Sequence, residues 1–474
     1  MARGRRQHER DAAQRVAYLG QGAVPLRRRG RRWADRAPAR AGAVIRPRPV
    51  ARLGELRLLV WVAAFTLAGY VAVVAAASGR FAWYEIVVPI AVLAIFGALH
   101  LFLASIGFRG DQLLLPISVG LTGIGFILVE RLAPGLLLQQ LSWLVIAAGA
   151  FCVTILIPRD LSVLARYKYT WALLGVVLLV SPLLPVVGRE INGASIWVGV
   201  AGVVQFEPWE FVKIALVIFF AAYLEEYREV LSTPPRRLGP IPVPPIPYLL
   251  PIVGMWLVAM LVMVFEKDLG ATLLFFGIFL AMLYLATGEP FYVVIGLLML
   301  VAGGFVAYHA FAHVAARVDV WLAPFNSDLR FDQAYQLTQG LFSLANAGLL
   351  GAGLGNGMPE QIPVVWSDFV FDAFTEEVGF VGALALLAFY LVFVYRGMLI
   401  ALRAPTTFLQ LLAAGLSFIV AFQTLVIVAG NAKLIPLTGI TLPFVAYGGS
   451  SLVTNFMLAA VLLRVSDITA RVRR

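Results

Sequence analysis

Residues 270–287 read GATLLFFGIFLAMLYLAT, an apolar run without a single charged side chain. A helix of about 20 apolar residues crosses the roughly 30 Å of hydrocarbon in a lipid bilayer. Similar runs recur along the 474-residue chain, which is 61% hydrophobic and 13% charged, whereas soluble domains are about half apolar and a quarter charged. The sequence therefore predicts an all-α polytopic membrane protein.

Twelve such runs predict about twelve transmembrane helices, with a large loop between helices nine and ten. Turn signals and charged residues separate the runs from one another. The predicted spans are 58–77, 86–107, 112–130, 140–157, 169–187, 209–225, 248–265, 270–287, 290–309, 377–396, 405–429 and 445–464.

The distribution of arginine and lysine orients these helices. Basic residues occupy most alternate connections and both chain termini, all on one side of the predicted bundle. Cytoplasmic loops carry the excess of such residues, so both termini are predicted to be cytoplasmic. The 310–376 loop holds seven acidic residues against only Arg317 and Arg330, and it is predicted to be extracytoplasmic.

The basic excess is concentrated at the N-terminus, where residues 1–57 hold sixteen arginines against four acidic residues. This composition predicts a disordered cytoplasmic tail that contacts anionic lipid headgroups. Nucleic-acid binding is the alternative, although Tyr18 and Trp33 are the only aromatic residues there for base stacking. The only cysteine, Cys152, excludes an intramolecular disulfide and a cysteine-based metal site.

Four carboxylates fall within ten residues at the start of helix ten: Asp368, Asp372, Glu376 and Glu377. An ionisable group close to hydrocarbon is costly, so such groups are candidates for function. Asp368 is the first candidate among them.

The same face also holds the charged turn Glu266-Lys267-Asp268, for which a solvated hairpin tip is the alternative, and three other unusual segments. Glu210 and Lys213 are three residues apart in a helix that begins near Pro208, close enough to pair; a purely local ion pair is the alternative. The glycine-rich residues 348–357 predict a compact turn, since no strand precedes them as in a phosphate-binding loop. Residues 436–451 predict a re-entrant segment beside a cavity, or else a tight packing turn.

Together these segments resemble the SEDS family of bacterial cell-wall proteins, the RodA/FtsW/SpoVE group, and most closely its actinobacterial-type RodA branch. The family motifs occur in order, as Asn192-Gly193-Ala194 with Trp197, Pro208 with Glu210 and Lys213, Asp268-Leu269-Gly270, Ser367-Asp368-Phe369 with Glu376-Glu377, and Pro436 to Ser451. The implied organisation is a basic tail at 1–57, two accessory helices at 58–107, a ten-helix SEDS core at 108–466 and a basic tail at 467–474.

The resemblance implies an inverting peptidoglycan glycosyltransferase of the bacterial plasma membrane. It would polymerise lipid II from an undecaprenyl-diphosphate-linked donor for cell elongation and supply a class B penicillin-binding transpeptidase, with no nucleic-acid partner. The rival interpretations are a lipid II flippase, a scaffold and the division-specific paralogue; the opposite face shows no polar path, which favours the enzyme over the flippase.

The resemblance also implies a set of site residues. Asp368 and Lys213 would be catalytic, with Asp368 as general base and Lys213 beside it. A divalent cation, Mg²⁺ or Mn²⁺, would draw on Glu210, Asp268, Glu376 and Glu377. The substrate-binding candidates are Trp197, Glu210, Asp268, Tyr335, Gln336, Glu376, Glu377, Tyr447, Ser450 and Ser451.

Overall fold

The computed structural model describes residues 51–78, 83–157, 160–185, 187–191, 194–200, 204–232, 236–238, 241–243 and 246–473. Each of the twelve predicted spans coincides with a helix. The predicted tail at 1–57 lies almost entirely outside the described residues. The twelve helices are α1 (Leu53–Ser78), α2 (Val87–Ser105), α3 (Leu114–Leu132), α4 (Leu137–Leu156), α5 (Lys168–Val180), α6 (Pro208–Ser232), α7 (Ile246–Phe265), α8 (Leu269–Thr287), α9 (Pro290–Ala310), α10 (Val370–Arg403), α11 (Thr407–Asn431) and α12 (Gly449–Val472).

Nine helices in the described part of the chain are long and apolar enough to cross a membrane: α1 to α4 and α8 to α12. Of the other three, α5 is shorter, α6 carries six charged residues and α7 contains an internal proline, Pro251. The chain is therefore a multi-pass membrane protein, as the apolar runs predicted.

The centre of the bundle is built from α3, α8, α11 and α12, most of whose residues are buried, whereas α9 is almost wholly exposed. A helix that is apolar all round, as α9 is, suits contact with lipid. Aromatic side chains join the central helices to their neighbours. Phe456 of α12 stacks on Phe96 of α2 with ring centres 6.2 Å apart, and it meets Phe444 edge-on at 5.8 Å.

The two accessory helices are attached to the core by a buried charge cluster. Arg52, just before α1, pairs with Glu55 and donates hydrogen bonds to the main-chain oxygens of Phe108 and Gly110, at 3.1 and 3.3 Å. His100 of α2 lies 2.7 Å from the same glutamate. Every charge in this cluster is paired, as burial requires.

Two small antiparallel sheets accompany the helices. The first joins β1 (Gly188–Ile191), β2 (Ala194–Val200) and β3 (Val204–Phe206) ahead of α6. The second pairs β4 (Arg236–Leu238) with β5 (Ile241–Val243). The described part of the proline-rich residues 234–251 forms this second sheet and the start of α7.

The long loop contains two helices, Ala312–Leu322 and Tyr335–Asn346. After them the glycine-rich residues form the compact turn that the sequence predicted, and this turn packs against a break in α10. At the break Gly379 has φ +76° and ψ −179°, a conformation essentially restricted to glycine. The amides of Phe380 and Val381 bond to the oxygens of Gly348 and Leu349 instead of to the preceding helical turn.

Candidate active site

The end of the bundle that carries the long loop, here called the loop face, holds a cavity of about 870 Å³. Helix α4 contributes the apolar Leu138, Trp143 and Ile146 to its lining, together with the polar Gln139 and Ser142. The other lining residues include Trp197, Glu207, Ser367, Thr441, Tyr447 and Ser450. Such a cavity fits a ligand with one apolar and one polar part.

Asp368 is half-buried, directly after the cavity residue Ser367. Gln336 donates to its carboxylate at 3.4 Å and to the oxygen of Pro363 at 2.8 Å. Asn431, the last residue of α11, donates to its main-chain oxygen at 2.9 Å. Asp368 is thus held by groups from two other helices.

Burial raises the pKa of Asp368 to about 6, and the positive charge of Arg317 acts against that rise. The guanidinium of Arg317 donates to the main-chain oxygens of Leu437 and Thr438, both at 3.1 Å. It also lies on a second, mainly apolar cavity of about 700 Å³, between α7, α8, α9 and the 435–438 segment. A carboxylate with this pKa can accept a proton near neutral pH.

Glu210 and Lys213 form the ion pair that their spacing predicted, at 2.5 Å, and both side chains are fully buried. Glu210 accepts hydrogen bonds from Thr454 at 3.0 Å and Thr441 at 3.4 Å. Lys213 donates to Gln423 at 3.0 Å, and the Gln423 amide donates to the main-chain oxygen of Thr441 at 2.8 Å. Both charges therefore support the cavity wall at Thr441.

We had expected Lys213 to pair with Asp368, and the structure does not show this pair. Both residues are described, and the ion pair of Lys213 is with Glu210 on its own helix. A partner one helical turn away satisfies the ammonium group, so the cation that acts on Asp368 is Arg317 instead. Arg317 could have been suspected from the sequence, as one of two cations in a loop with seven acidic residues.

Glu376 and Glu377 do not line the large cavity. Both are bonded to other side chains or amides of the protein. Glu376 accepts from Ser343 at 2.7 Å and from the amide of Met358 at 3.2 Å. Glu377 pairs with Arg131 of α3 at 2.8 Å. These contacts hold the glycine-rich turn against α10.

The remaining candidates divide between the cavity and its surroundings. Trp197 and Tyr447 line the cavity, and the Tyr447 amide bonds to the oxygen of Trp366 at 2.9 Å. Asp268 accepts from the Ala271 amide at 2.9 Å and caps α8. Tyr335 begins the loop helix that carries Gln336.

The buried Ser450 and Ser451 lie at the start of α12. Ser450 accepts from the Glu207 amide at 2.8 Å, and Ser451 accepts from Thr441 at 2.9 Å.

The four carboxylates expected to hold a divalent cation do not gather at one place. Glu210 and Asp268 lie near the cavity wall at Thr441, whereas Glu376 and Glu377 anchor the glycine-rich turn. In the described ranges no three His, Cys, Asp or Glu side chains are grouped to hold a metal ion. These residues do not fit the expected metal.

Residues 130–471 match the FtsW/RodA/SpoVE family model, described as a cell cycle protein. The chain is 40% identical over 436 residues to the peptidoglycan glycosyltransferase RodA of Mycobacterium tuberculosis, covering 90% of this chain and 92% of the relative. It is 33% identical over 379 residues to the probable peptidoglycan glycosyltransferase FtsW of Pseudomonas fluorescens, covering 75% and 88%.

Solved structures give the same picture. A chain from a peptidoglycan synthase complex that coordinates polymerization and crosslinking aligns with a TM-score of 0.64 and 26% identity, over 76% of this chain and 98% of that one. The rod shape determining protein RodA of Thermus thermophilus aligns with a TM-score of 0.52 and 26% identity, over 76% and 97%.

Proposed function

We propose that this chain, which belongs to the FtsW/RodA/SpoVE family, is a peptidoglycan glycosyltransferase of the RodA type whose general base is Asp368. The observation that carries the assignment of the base is its position: a half-buried carboxylate with a pKa of about 6, directly beside the amphipathic cavity. Relatives named RodA align over more of the chain than the FtsW relative does, which favours elongation over division.

The reaction joins two lipid-linked sugars. The C4 hydroxyl of the GlcNAc in an incoming lipid II attacks the anomeric carbon of the growing strand, and undecaprenyl pyrophosphate leaves with inversion at that carbon. Asp368 accepts the hydroxyl proton as the new C–O bond forms. Arg317 is the cation whose charge lowers the pKa of Asp368. The same charge can offset the negative charge that develops during transfer.

Two lipid-linked substrates must reach one base, and the structure supports two approaches. The large cavity has an apolar patch on α4 beside the polar Gln139 and Ser142, and the second cavity has apolar walls on α7, α8 and α9. Ser367 lies on the first and Arg317 on the second; Asp368 follows Ser367 in the chain and is within electrostatic reach of Arg317. Each apolar wall suits a polyprenyl chain whose headgroup faces Asp368.

The test is polymerisation of labelled lipid II by the purified full-length protein. We expect glycan strands from the wild type and none from Asp368→Asn, because an amide cannot accept the hydroxyl proton. Asp328→Asn, on the exposed part of the same loop, is the matched control and should remain active. Strands from Asp368→Asn would remove Asp368 as the base, and lipid movement across vesicles without any polymer would favour the flippase.

Divalent-cation dependence is tested in the same assay. We propose that Mg²⁺ or Mn²⁺ stimulates polymerisation by binding the substrate pyrophosphate, since the described carboxylates form no site for it. Product formation should then fall on addition of EDTA and return with either metal. Full activity in EDTA would exclude the requirement.

We propose that the loop face is extracytoplasmic and that both termini are cytoplasmic, since Arg109, Arg396 and Arg471 lie at the opposite face. In a Cys152→Ala background, Ser327→Cys on the exposed loop should react with an impermeant maleimide in intact cells. Ser162→Cys, exposed between α4 and α5, should react only after lysis. The reverse pattern would invert the topology.

We propose a class B penicillin-binding transpeptidase as the partner. The structural relative belongs to a complex that coordinates polymerization and crosslinking, and the product made here is an uncrosslinked strand that transpeptidation must consume. Co-purification with such a transpeptidase, and crosslinked product only when both are present, would support the pairing. Independent purification and unchanged products would count against it.

A further inference from the structure

Asp372 is a buried carboxyl group that has no role in the proposed reaction. It lies in the first turn of α10, four residues after Asp368, and it is fully buried. Among the described residues it makes no ion pair, and neither of its oxygens receives a hydrogen bond of ordinary geometry. Burying such a group costs free energy, so its presence at this place needs a reason.

The surroundings of Asp372 connect it to Asp368 through Asn431. The Asn431 amide nitrogen donates to the Asp368 main-chain oxygen at 2.9 Å, and the same side chain lies beside the Asp372 carboxyl group. An amide has two N–H donors; one is used on Asp368, and Asp372 provides an acceptor for the other.

Asp372 is also fitted against the loop helix that holds Asp368. A Cβ atom added at Gly340 would lie 2.6 Å from its Oδ2 atom and 2.5 Å from the ring of Phe369. Gln336, one helical turn before Gly340, is the residue that donates to the Asp368 carboxylate. The absence of a side chain at Gly340 therefore gives Asp372 room at the crossing of the loop helix, α10 and α11.

We infer that Asp372 is a positioning residue that acts through Asn431 to fix the main chain at Asp368. This inference rests on the proposed role of Asp368 as the base. A general base must stay within hydrogen-bond reach of the proton it removes, and a displacement of about 1 Å can cost on the order of 100-fold in rate. The role needs an acceptor oxygen at position 372, and it needs no charge there.

The first experiment compares Asp372→Leu with Asp372→Asn in the purified full-length enzyme, with lipid II as substrate. We expect Asp372→Leu to lower kcat about 10- to 100-fold with little change in KM. Asp372→Asn keeps an acceptor oxygen and should recover most of the lost rate. A wild-type rate for Asp372→Leu overturns the inference, and so does a complete loss in Asp372→Asn, which would make Asp372 a reacting group.

A double-mutant cycle tests whether the effect passes through Asn431. If it does, Asp372→Leu combined with Asn431→Leu should be no slower than the slower single variant. Multiplied losses would show independent effects and overturn the inference. Should the leucine variants fail to fold, as judged by thermal unfolding and gel filtration, the cycle is run with Asp372→Ala and Asn431→Ala, which also remove the acceptor and the donor.

The two assignments fail separately. Strands from Asp368→Asn would refute the proposed base, whatever the Asp372 variants do. An inactive Asp368→Asn together with a fully active Asp372→Leu would refute only the positioning role.

Discussion

Asp368, the proposed general base, and Arg317 carry opposite charges, and the charge of Arg317 acts on the Asp368 carboxyl group. The base works only as a carboxylate, so with a pKa of about 6 the value of kcat/KM should fall as the pH drops through about 6. Arg317 lowers this pKa by its positive charge. Removing the cation, as in Arg317→Gln, should therefore raise the pKa and move the acid limb of the pH profile to higher pH.

The matched control for that profile is Arg330→Gln, on an exposed part of the same loop. Its acid limb should coincide with that of the wild type. If Arg317→Gln also left the acid limb in place, the limb would not reflect the titration of Asp368, or Arg317 would not lower the pKa of Asp368.

Lys213 is the second residue whose substitution separates two roles. Lys213→Met leaves Glu210 buried without its cation, and breaking a buried pair in this way costs about 3–5 kcal/mol. We expect a less stable protein with less polymerisation, because the support of Thr441 through Gln423 is lost as well. Thermal unfolding and strand synthesis are measured on the same preparation.

The control for Lys213 is the double variant Glu210→Gln/Lys213→Met, which removes both charges. It should regain most of the stability and, if the pair acts by supporting the cavity wall, most of the activity. A stable but inactive double variant would show that at least one charge of the pair is required for the reaction itself.

At the scale of elements, the break in α10 depends on one residue. Gly379 has a backbone conformation that costs other residues about 1–3 kcal/mol, and an added Cβ would lie 2.3 Å from the amide nitrogen of Gly351. Gly379→Ala should therefore detach the glycine-rich turn from α10. Faster proteolysis within residues 346–366 and lower polymerisation would report the change.

Gly304→Ala in α9 is the control for the break, because nothing lies within 4 Å of its added Cβ. It should match the wild type in both assays. Equal protection of the loop in the two variants would mean that the turn does not depend on Gly379.

At the scale of the whole molecule, the accessory helices are held to the core by the cluster around Arg52. Arg52→Met leaves Glu55 buried with His100 as its remaining partner and leaves the oxygens of Phe108 and Gly110 unbonded. We expect a loss of about 3–5 kcal/mol in unfolding free energy, measured by thermal or denaturant unfolding in detergent. Arg57→Met, on an exposed side of α1, should change little.

Helices and motif order could be predicted from the sequence because both are local. An apolar run such as 270–287 is a helix wherever it packs, and Pro208 marks the start of α6. The contacts that define the site join distant segments: Gln336 to Asp368, Asn431 to Asp368 and Arg317 to Leu437. The spacing of residues along the chain does not indicate such long-range pairs. The prediction from sequence therefore placed Lys213 beside Asp368 and missed Arg317 and Asn431.

The strands and the break in α10 escaped prediction for a related reason. Strands β1 to β3 are short, at four, seven and three residues, and they follow no clear alternation of polar and apolar residues. In the sequence, Gly379 looks like an ordinary helical glycine. Only the structure shows that the amides of the next two residues bond to the oxygens of Gly348 and Leu349.

The break at Gly379 also fixes the depth of the chemistry relative to the bilayer. Residues 380–403 alone form a helix about 36 Å long at 1.5 Å per residue, enough to cross roughly 30 Å of hydrocarbon. With the proposed topology, we expect the short piece before the break, with Asp368 just ahead of it, to lie at the level of the phosphates and the first sugars of a membrane-bound substrate. A lipid-linked donor can react there while its tail stays in the membrane.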